Sequence, residues 1–246
     1  AGWSKNILKR LVFEFFLNLA DRVMVNSIQF KKDLKKEFNV NAVCIYNPLN
    51  HNEIIKKSKK RSKKIFRNNK KLRILNIGRF TEQKDQITFL KALNQIKDTI
   101  KFEAVIIGRG KLHKELSEYV FKNNLNQFVK IIDFVDNPFP LLKQTELFIL
   151  SSRYEGLPNV LLEALSLKKF IISSNCPTGP KEILLNGKGG FLFDTGNHNE
   201  LTNKIICYTK NKKKCSAMLQ YATRKLYRFD YQTNLKKYLN LVNQLA

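Results

Sequence analysis

Two carboxylates and two cations stand at spacings suited to chemistry. Glu155 and Glu163 bracket a turn in Ser151-Ser152-Arg153-Tyr154-Glu155-Gly156-Leu157-Pro158-Asn159-Val160-Leu161-Leu162-Glu163-Ala164-Leu165. Pro158 stands where a helix begins, since its missing N–H costs nothing at the first helical position. Val160, Leu161, Ala164 and Leu165 give that helix a buried face. The free N–H groups and positive end of such a helix attract an anion. Glu155 before it and Glu163 just over one turn inside it add hydrogen-bond acceptors. A ligand with both phosphate and hydroxyls, such as a nucleotide sugar, suits that set. Either carboxylate alone reads as well as an ordinary loop or surface residue.

The cations lie upstream in Gly78-Arg79-Phe80-Thr81-Glu82-Gln83-Lys84. Gly78 is expected to allow a close backbone approach. Arg79 presents a planar fork to a phosphate, and Lys84 adds a point charge. Alone, the two read equally as exposed cations of a very basic chain. Gly108-Arg109-Gly110 is a weak glycine motif that a tight turn explains equally well. Pro177-Thr178-Gly179-Pro180-Lys181-Glu182 reads as a turn and a helix start.

These residues need a scaffold. Apolar runs predict parallel strands at Leu72 to Ile77, Phe102 to Ile107, Val129 to Ile132, Leu147 to Leu150, Phe170 to Ser173 and Gly190 to Phe193. Helical periodicity falls between them, as in Ile87, Leu90, Leu93 and Ile96. Alternating strand and helix predict a doubly wound parallel sheet over about Lys70 to Tyr208. Ligands of such sheets bind at the strand carboxyl ends, which is where the motifs lie.

Upstream, a helix capped by Ser4 is expected to run to about Ala20, with Ile7, Leu8, Leu11, Val12, Phe15 and Leu19 on one face. Packing inside a domain is the favoured place for it, and a membrane interface is the alternative. A strand at Val23-Met24-Val25, a basic helix from Ile28 to Phe38 and a strand from Ala42 to Tyr46 form a further βαβ-like piece. Lys56 to Lys71 holds ten Lys/Arg and no acid. Such a block repels itself and is expected to be an exposed linker. A last helix, Thr233 to Leu245, carries Leu235, Tyr238, Leu239, Val242 and Leu245. It is expected either to return to the N-terminal part or to cap the sheet.

The chain has 246 residues, 43% of them hydrophobic, enough for a sizeable core. Cys44, Cys176, Cys207 and Cys215 are too scattered for a zinc or disulfide framework and read as reduced thiols. The formal net charge is +25. Codon bias toward lysine explains it as well as an anionic membrane surface does. A nucleic-acid partner is not expected, because no binding motif accompanies the charge.

Glu155-Gly156-Leu157-Pro158-Asn159-Val160-Leu161-Leu162-Glu163-Ala164 resembles the Glu-x7-Glu signature of the group 1 retaining glycosyltransferases, which have the GT-B fold. Gly78-Arg79-Phe80 with Lys84 is similar to that family's second signature, whose Arg and Lys grip the donor diphosphate. The family usually has glycine after that lysine, and here Asp85 stands instead. Asp133-Phe134 occupies the place of the family's residues near the nucleobase, with Asp133 replacing a glycine. Ala20-Asp21-x-Val23-x-Val25-x-Ser27 and Tyr46-Asn47-Pro48 are similar to the end of the family's acceptor-side domain. The rest of that domain would lie upstream.

The resemblance implies an α/β, GT-B type fold: a doubly wound, Rossmann-like parallel sheet with helices on both faces, plus the remnant of an N-terminal domain. Expected divisions are 1–50 for that remnant, 51–71 for a basic linker, 72–210 for the donor domain and 211–246 for helices packing back. Transfer of a hexose or N-acetylhexosamine from a UDP-sugar to a cell-envelope glycan or lipid-linked acceptor is implied, with retention, no cofactor and no metal. Arg79, Lys84 and Glu155 would be catalytic. Gly78, Arg79, Lys84, Gly108, Asp133, Phe134, Glu155, Gly156, Leu157, Pro158, Asn159, Val160 and Glu163 would bind substrate. The expected place is the cytoplasm, with a weak contact to an anionic membrane. The alternative is a nucleotide-sugar-binding module, or an inactive fragment that needs a partner acceptor domain.

Overall fold

The computed structural model describes residues 7–67 and 70–244. Ser4 and Leu245, named above as a cap and an apolar residue, lie outside the described residues. In chain order the elements are α1 (Ile7–Leu19), β1 (Met24–Val25), α2 (Ile28–Phe38), β2 (Val43–Cys44), α3 (His51–Ser58), β3 (Leu72–Ile77), α4 (Gln86–Ile96), β4 (Phe102–Ile107), α5 (His113–Lys122) and β5 (Val129–Ile132). There follow α6 (Phe139–Lys143), β6 (Leu147–Leu150), α7 (Asn159–Ser166), β7 (Phe170–Ser174), α8 (Pro180–Ile183), β8 (Phe191–Phe193), α9 (His198–Lys210), α10 (Lys212–Arg224), a 3-10 turn (Leu226–Phe229) and α11 (Tyr231–Asn243).

Strands β3 to β8 form one parallel sheet in the order β5-β4-β3-β6-β7-β8. Its inner strands β4, β3, β6 and β7 are buried on both faces, so their sequences read as largely apolar runs. Ile74, Ile106, Ile149 and Ile172 point into a core under α4, α5 and α9. Their neighbours Leu75, Val105, Ile107, Phe148 and Ile171 point into a second core with α3, α6, α7 and the 3-10 turn. Each fully buried Leu or Phe contributes about 1.5–3 kcal/mol. The strand order reverses between β3 and β6. A crevice opens at such a reversal, beyond the carboxyl ends of the strands. The loops after β3 and β6 carry Arg79, Lys84 and Glu155, so topology alone sets them face to face.

The N-terminal piece is a second, two-stranded parallel sheet, β1-β2, with α2 packed on it. Helix α1 differs from its favoured reading. None of its residues is buried, and Ile7, Leu8, Leu11, Phe15, Phe16 and Leu19 are exposed. The basic block differs too. Its first part is α3, capped by Asn50, whose side chain accepts from the Glu53 N–H at 3.0 Å. Ile65 and Phe66 are buried while the cations around them stay outside. The strap is pinned by these two residues and by hydrogen bonds of its backbone with Gln144 and Glu103, while its lysines remain solvated. Helix α11 begins beside the N-terminal part, where Leu49 bridges to Asp230, but its Leu239 and Val242 are exposed.

Among the described residues no helix is long and apolar enough to cross a membrane. The four cysteines are unbridged.

Candidate functional site

A cleft of ≈ 730 Å³ lies over the reversal point. That volume is in the range of small-molecule sites. The loops after β3, β4, β5 and β6, the start of α7 and Lys57 of α3 build it.

The helix start is α7. Leu161, Leu162, Ala164 and Leu165 are buried, which clamps the helix to the sheet. Pro158 is the residue before its first turn, one position earlier than the sequence reading placed it, and no side chain caps the helix. The end of α7 that carries unmet N–H groups therefore faces the cleft through Pro158, Asn159 and Val160. Leu157 lines the cleft as well and is buried. The Asn159 Oδ1 accepts from Asn47 of the N-terminal piece at 2.9 Å.

Glu163 lines the same cleft, and among the described residues no donor reaches its carboxylate. Burial pushes its pKa above the usual carboxylate range. Its ionised form is thus disfavoured by folding. The stability this costs is absent below the unfolded pKa and grows as pH rises through the raised folded pKa. Glu163→Gln is therefore expected to raise Tm at pH 7 and to leave it unchanged at acid pH. A gain of 1 kcal/mol reads as about 2–4 °C in Tm for a chain of this size. A bound diol would reverse the balance by supplying two donors. Ligand affinity should then fall as pH drops through that raised pKa, and Glu163→Gln should flatten the profile.

Glu155 is held from two sides. Lys84 Nζ donates to its Oε1 at 2.6 Å, with only 17% and 8% of the two side chains exposed. The Thr178 hydroxyl donates to its backbone carbonyl. Thr178 belongs to the Pro177–Glu182 turn, so that motif does more than start α8. Gly179 makes this approach feasible: its φ is +72°, and a Cβ there would stand 2.2 Å from Gly156 O.

Glycine matters at Gly108 more than at Gly78. A Cβ on Gly78 would meet Lys84 carbons at 3.4 Å, an ordinary contact. A Cβ on Gly108 would lie 2.0 Å from Gly78 O and 2.9 Å from the Phe80 ring. The close approach assigned to Gly78 thus belongs to Gly108. Gly108→Ala is expected to destabilise by about 1–3 kcal/mol through backbone displacement. Chemical denaturation would show a lower midpoint at unchanged slope, and Gly78→Ala should lie near wild type.

Asp85, the departure from the family pattern, has φ 45° and ψ 51°. That left-handed conformation explains why glycine fits there, and Asp is among the residues that tolerate it best. Its side chain caps α4, accepting from the Thr88 N–H at 3.3 Å and the Thr88 hydroxyl at 2.9 Å. Such caps contribute about 0.5–2 kcal/mol.

Of the sequence-predicted residues, the cleft gathers Gly78, Arg79, Lys84, Gly108, Phe134, Glu155, Leu157, Pro158, Asn159, Val160 and Glu163. Gly156 shapes the turn beside them without lining the cleft. Asp133 is a correction. It is exposed and lines a neighbouring hollow with residues 60–65. The loop after β5 brings Phe134, Val135 and Asp136 to the cleft and leaves Asp133 outside it. Phe134 lies under the Arg109 guanidinium, 4.8 Å from ring centroid to Cζ. Lys57, Val135, Asp136 and Phe139 also line the cleft and were missed. Lys57 pairs with Glu53 at 2.6 Å on α3. The Asn50-x-x-Glu53 cap and this four-residue spacing were the available signals. Among the described residues no group of three His, Cys, Asp or Glu is placed to hold a metal ion.

This fold has solved counterparts. Anabaena HepE in complex with UDP superimposes with a TM-score of 0.83 at 19% identity, over 98% of this chain and 70% of that one. A glycosyltransferase from Rickettsia africae gives 0.82 at 17% identity, over 98% and 68%. The architecture is therefore that of the GT-B glycosyltransferases. Residues 57–225 match the family described as glycosyl transferases group 1, and the chain belongs to that family. An uncharacterized glycosyltransferase of Methanocaldococcus jannaschii is 34% identical over 188 residues, 74% of this chain and 46% of its own length. A Campylobacter jejuni relative is 26% identical over 235 residues, 93% of this chain and 62% of its own. It is named an N-acetylgalactosamine-N,N'-diacetylbacillosaminyl-diphospho-undecaprenol 4-alpha-N-acetylgalactosaminyltransferase. The chain spans between 46% and 62% of the length of these relatives.

Proposed function

We propose that the chain carries the donor half of a retaining glycosyltransferase. It would move a hexose or N-acetylhexosamine from a UDP-sugar to a cell-envelope glycan or lipid-linked acceptor. The observation that carries this reading is the convergence of Arg79, Lys84, Glu155, Glu163 and the uncapped start of α7 on one cleft. Residues 72–210 form the donor unit in this reading, 1–50 and 211–246 flank it on the acceptor side, and 51–71 join the two. The protein works in the cytoplasm, with a weak peripheral contact to an anionic membrane through its basic surface.

The chemistry follows from where charge develops. Breaking the sugar–phosphate bond leaves an oxocarbenium-like sugar and a more negative diphosphate. Arg79, Lys84 and the start of α7 stabilise that leaving group without a metal ion. Glu163 accepts both hydroxyls of the ribose. Glu155 holds donor-sugar hydroxyls and faces the developing positive charge. The names of the relatives and the UDP complex of a structural counterpart agree with this donor and acceptor class.

Calorimetry with UDP-, GDP- and ADP-sugars on wild type, Arg79→Ala and Glu163→Ala tests the reading. UDP-sugar binding is expected for wild type, weakened in both variants and unchanged by a chelator. Absence of any binding to wild type would overturn the donor assignment. Binding indifferent to both substitutions would overturn the residue roles.

A further inference from the structure

Arg79 is exposed, and an exposed arginine samples many rotamers. A guanidinium that must meet a diphosphate in one orientation needs a holder. In this structure the holder is Gln83. The Arg79 Nη2 donates to Gln83 Oε1 at 3.3 Å, and the other end of the same amide donates from Nε2 to Tyr154 O at 3.0 Å. The Gln83 main chain takes part too, its carbonyl accepting from the Arg153 N–H at 2.7 Å. One residue thus joins Arg79, on the loop after β3, to the backbone of the loop after β6.

Two further contacts flank that bridge. Arg153 Nε stands 3.2 Å from Asp85 Oδ2, a carboxylate 4% exposed that also caps α4. The Ser151 hydroxyl donates to Lys84 O at 3.0 Å. Lys84 is therefore fixed through its own carbonyl, independently of its ion pair with Glu155. The two loops have no covalent link shorter than the chain between them. Added to the pairing of β3 with β6 and to the Lys84–Glu155 ion pair, these contacts set the spacing of the cations from Glu155 and the start of α7.

We propose that Gln83 and the Asp85–Arg153 pair are positioning residues for the donor diphosphate. They clasp the loop 79–85 to the loop 151–155 and so present Arg79 and Lys84 in a preset geometry. This rests on the donor reading above and assigns roles to three residues to which that reading gives none. Gln83 acts on Arg79 directly. Asp85 and Arg153 act through the loop that carries Lys84. Preset geometry favours binding because less freedom is lost when the ligand arrives.

The test compares UDP with uridine, by calorimetry and by NMR titration respectively, on the 246-residue chain. Gln83→Met keeps the side-chain length and removes both amide bonds. It is expected to weaken UDP about fivefold and leave uridine unchanged. Arg153→Met, at a side chain 60% exposed, is expected to weaken UDP about twofold to threefold, and Arg153→Lys to recover most of that. Wild-type UDP binding with an unchanged affinity in Gln83→Met would overturn the clasp and leave the donor reading standing. Equal weakening of UDP and uridine, with a lower Tm, would also overturn it, since the residue would then be merely structural. If wild type binds no nucleoside diphosphate, the donor reading fails and the clasp fails with it.

Discussion

Glu155→Gln is expected to bind UDP about tenfold more tightly than the wild type, while its UDP-sugar turnover falls by about 100- to 1,000-fold. The two effects have one origin. Lys84 and Glu155 form a largely buried pair at 2.6 Å. Removing one partner of such a pair leaves the other charge uncompensated, at a cost of about 3–5 kcal/mol in a fully buried case. Lys84 at 17% exposure should suffer part of that cost. A diphosphate arriving in the variant restores a counter-charge, and the binding energy it gains is no longer shared with Glu155. The variant should accordingly be less stable than wild type when empty and regain most of the loss in saturating UDP. The sugar tells the opposite story. Without the carboxylate, the donor-sugar hydroxyls lose an acceptor and the developing positive charge loses its partner. The ratio of UDP-sugar to UDP dissociation constants should therefore rise. Calorimetry with both ligands, thermal melts with and without UDP, and UDP release from the sugar nucleotide check each part. Unchanged or weaker UDP binding would show that the pair persists when the diphosphate is bound.

Lys84→Met should act in the reverse direction. It is expected to weaken UDP by about 10- to 100-fold, as a charge-assisted contact of about 1.5–3 kcal/mol is lost. Part of that loss should vanish when Glu155→Gln is added, because Glu155 in the single variant faces the diphosphate with no cation between them. Neighbouring charges couple by about 0.5–3 kcal/mol in such cycles, so the double variant should bind better than the sum of its parts. Arg79→Ala is expected to weaken UDP by a smaller factor than Lys84→Met, since Arg79 is the more exposed of the two. Additive free energies in the Lys84–Glu155 cycle would show that the two side chains act on separate parts of the ligand.

The sequence carried most of the scaffold. Strands β3 to β6 have the bounds that their apolar runs predict, because runs dominated by Leu, Ile, Val and Phe mark a strand even with Arg73, Asn76, Glu103 and Lys130 inside them. The turn-and-helix reading of Glu155 to Leu165 also follows from local chemistry, as Pro158 and the apolar spacing are properties of neighbours along the chain. Arg79, Lys84, Glu155 and Glu163 were legible as residue types in motifs.

What the sequence could not decide is whatever depends on atoms distant in the chain. The glycine that the close approach needs is Gly108, because the atom it must clear, Gly78 O, lies on another strand. Asp133 lines a neighbouring hollow and not the cleft, because the path of the loop after β5 is set by the elements packed around it and not by its own residues. Helix α1 has a face apolar enough for a core, yet Ile7, Leu8, Leu11, Val12, Phe15 and Leu19 of that face are exposed, because periodicity reports what a helix can bury and not what lies against it. Lys57 reaches the cleft from a block that local charge marks as a linker. The sequence by itself determined the layers, the loops and the kinds of charge they carry. Only the tertiary structure decided that Lys84 pairs with Glu155, that Gln83 holds Arg79, and that Glu163 stands without a donor among the described residues, since each is a distance between segments whose separation along the chain says nothing of their separation in space.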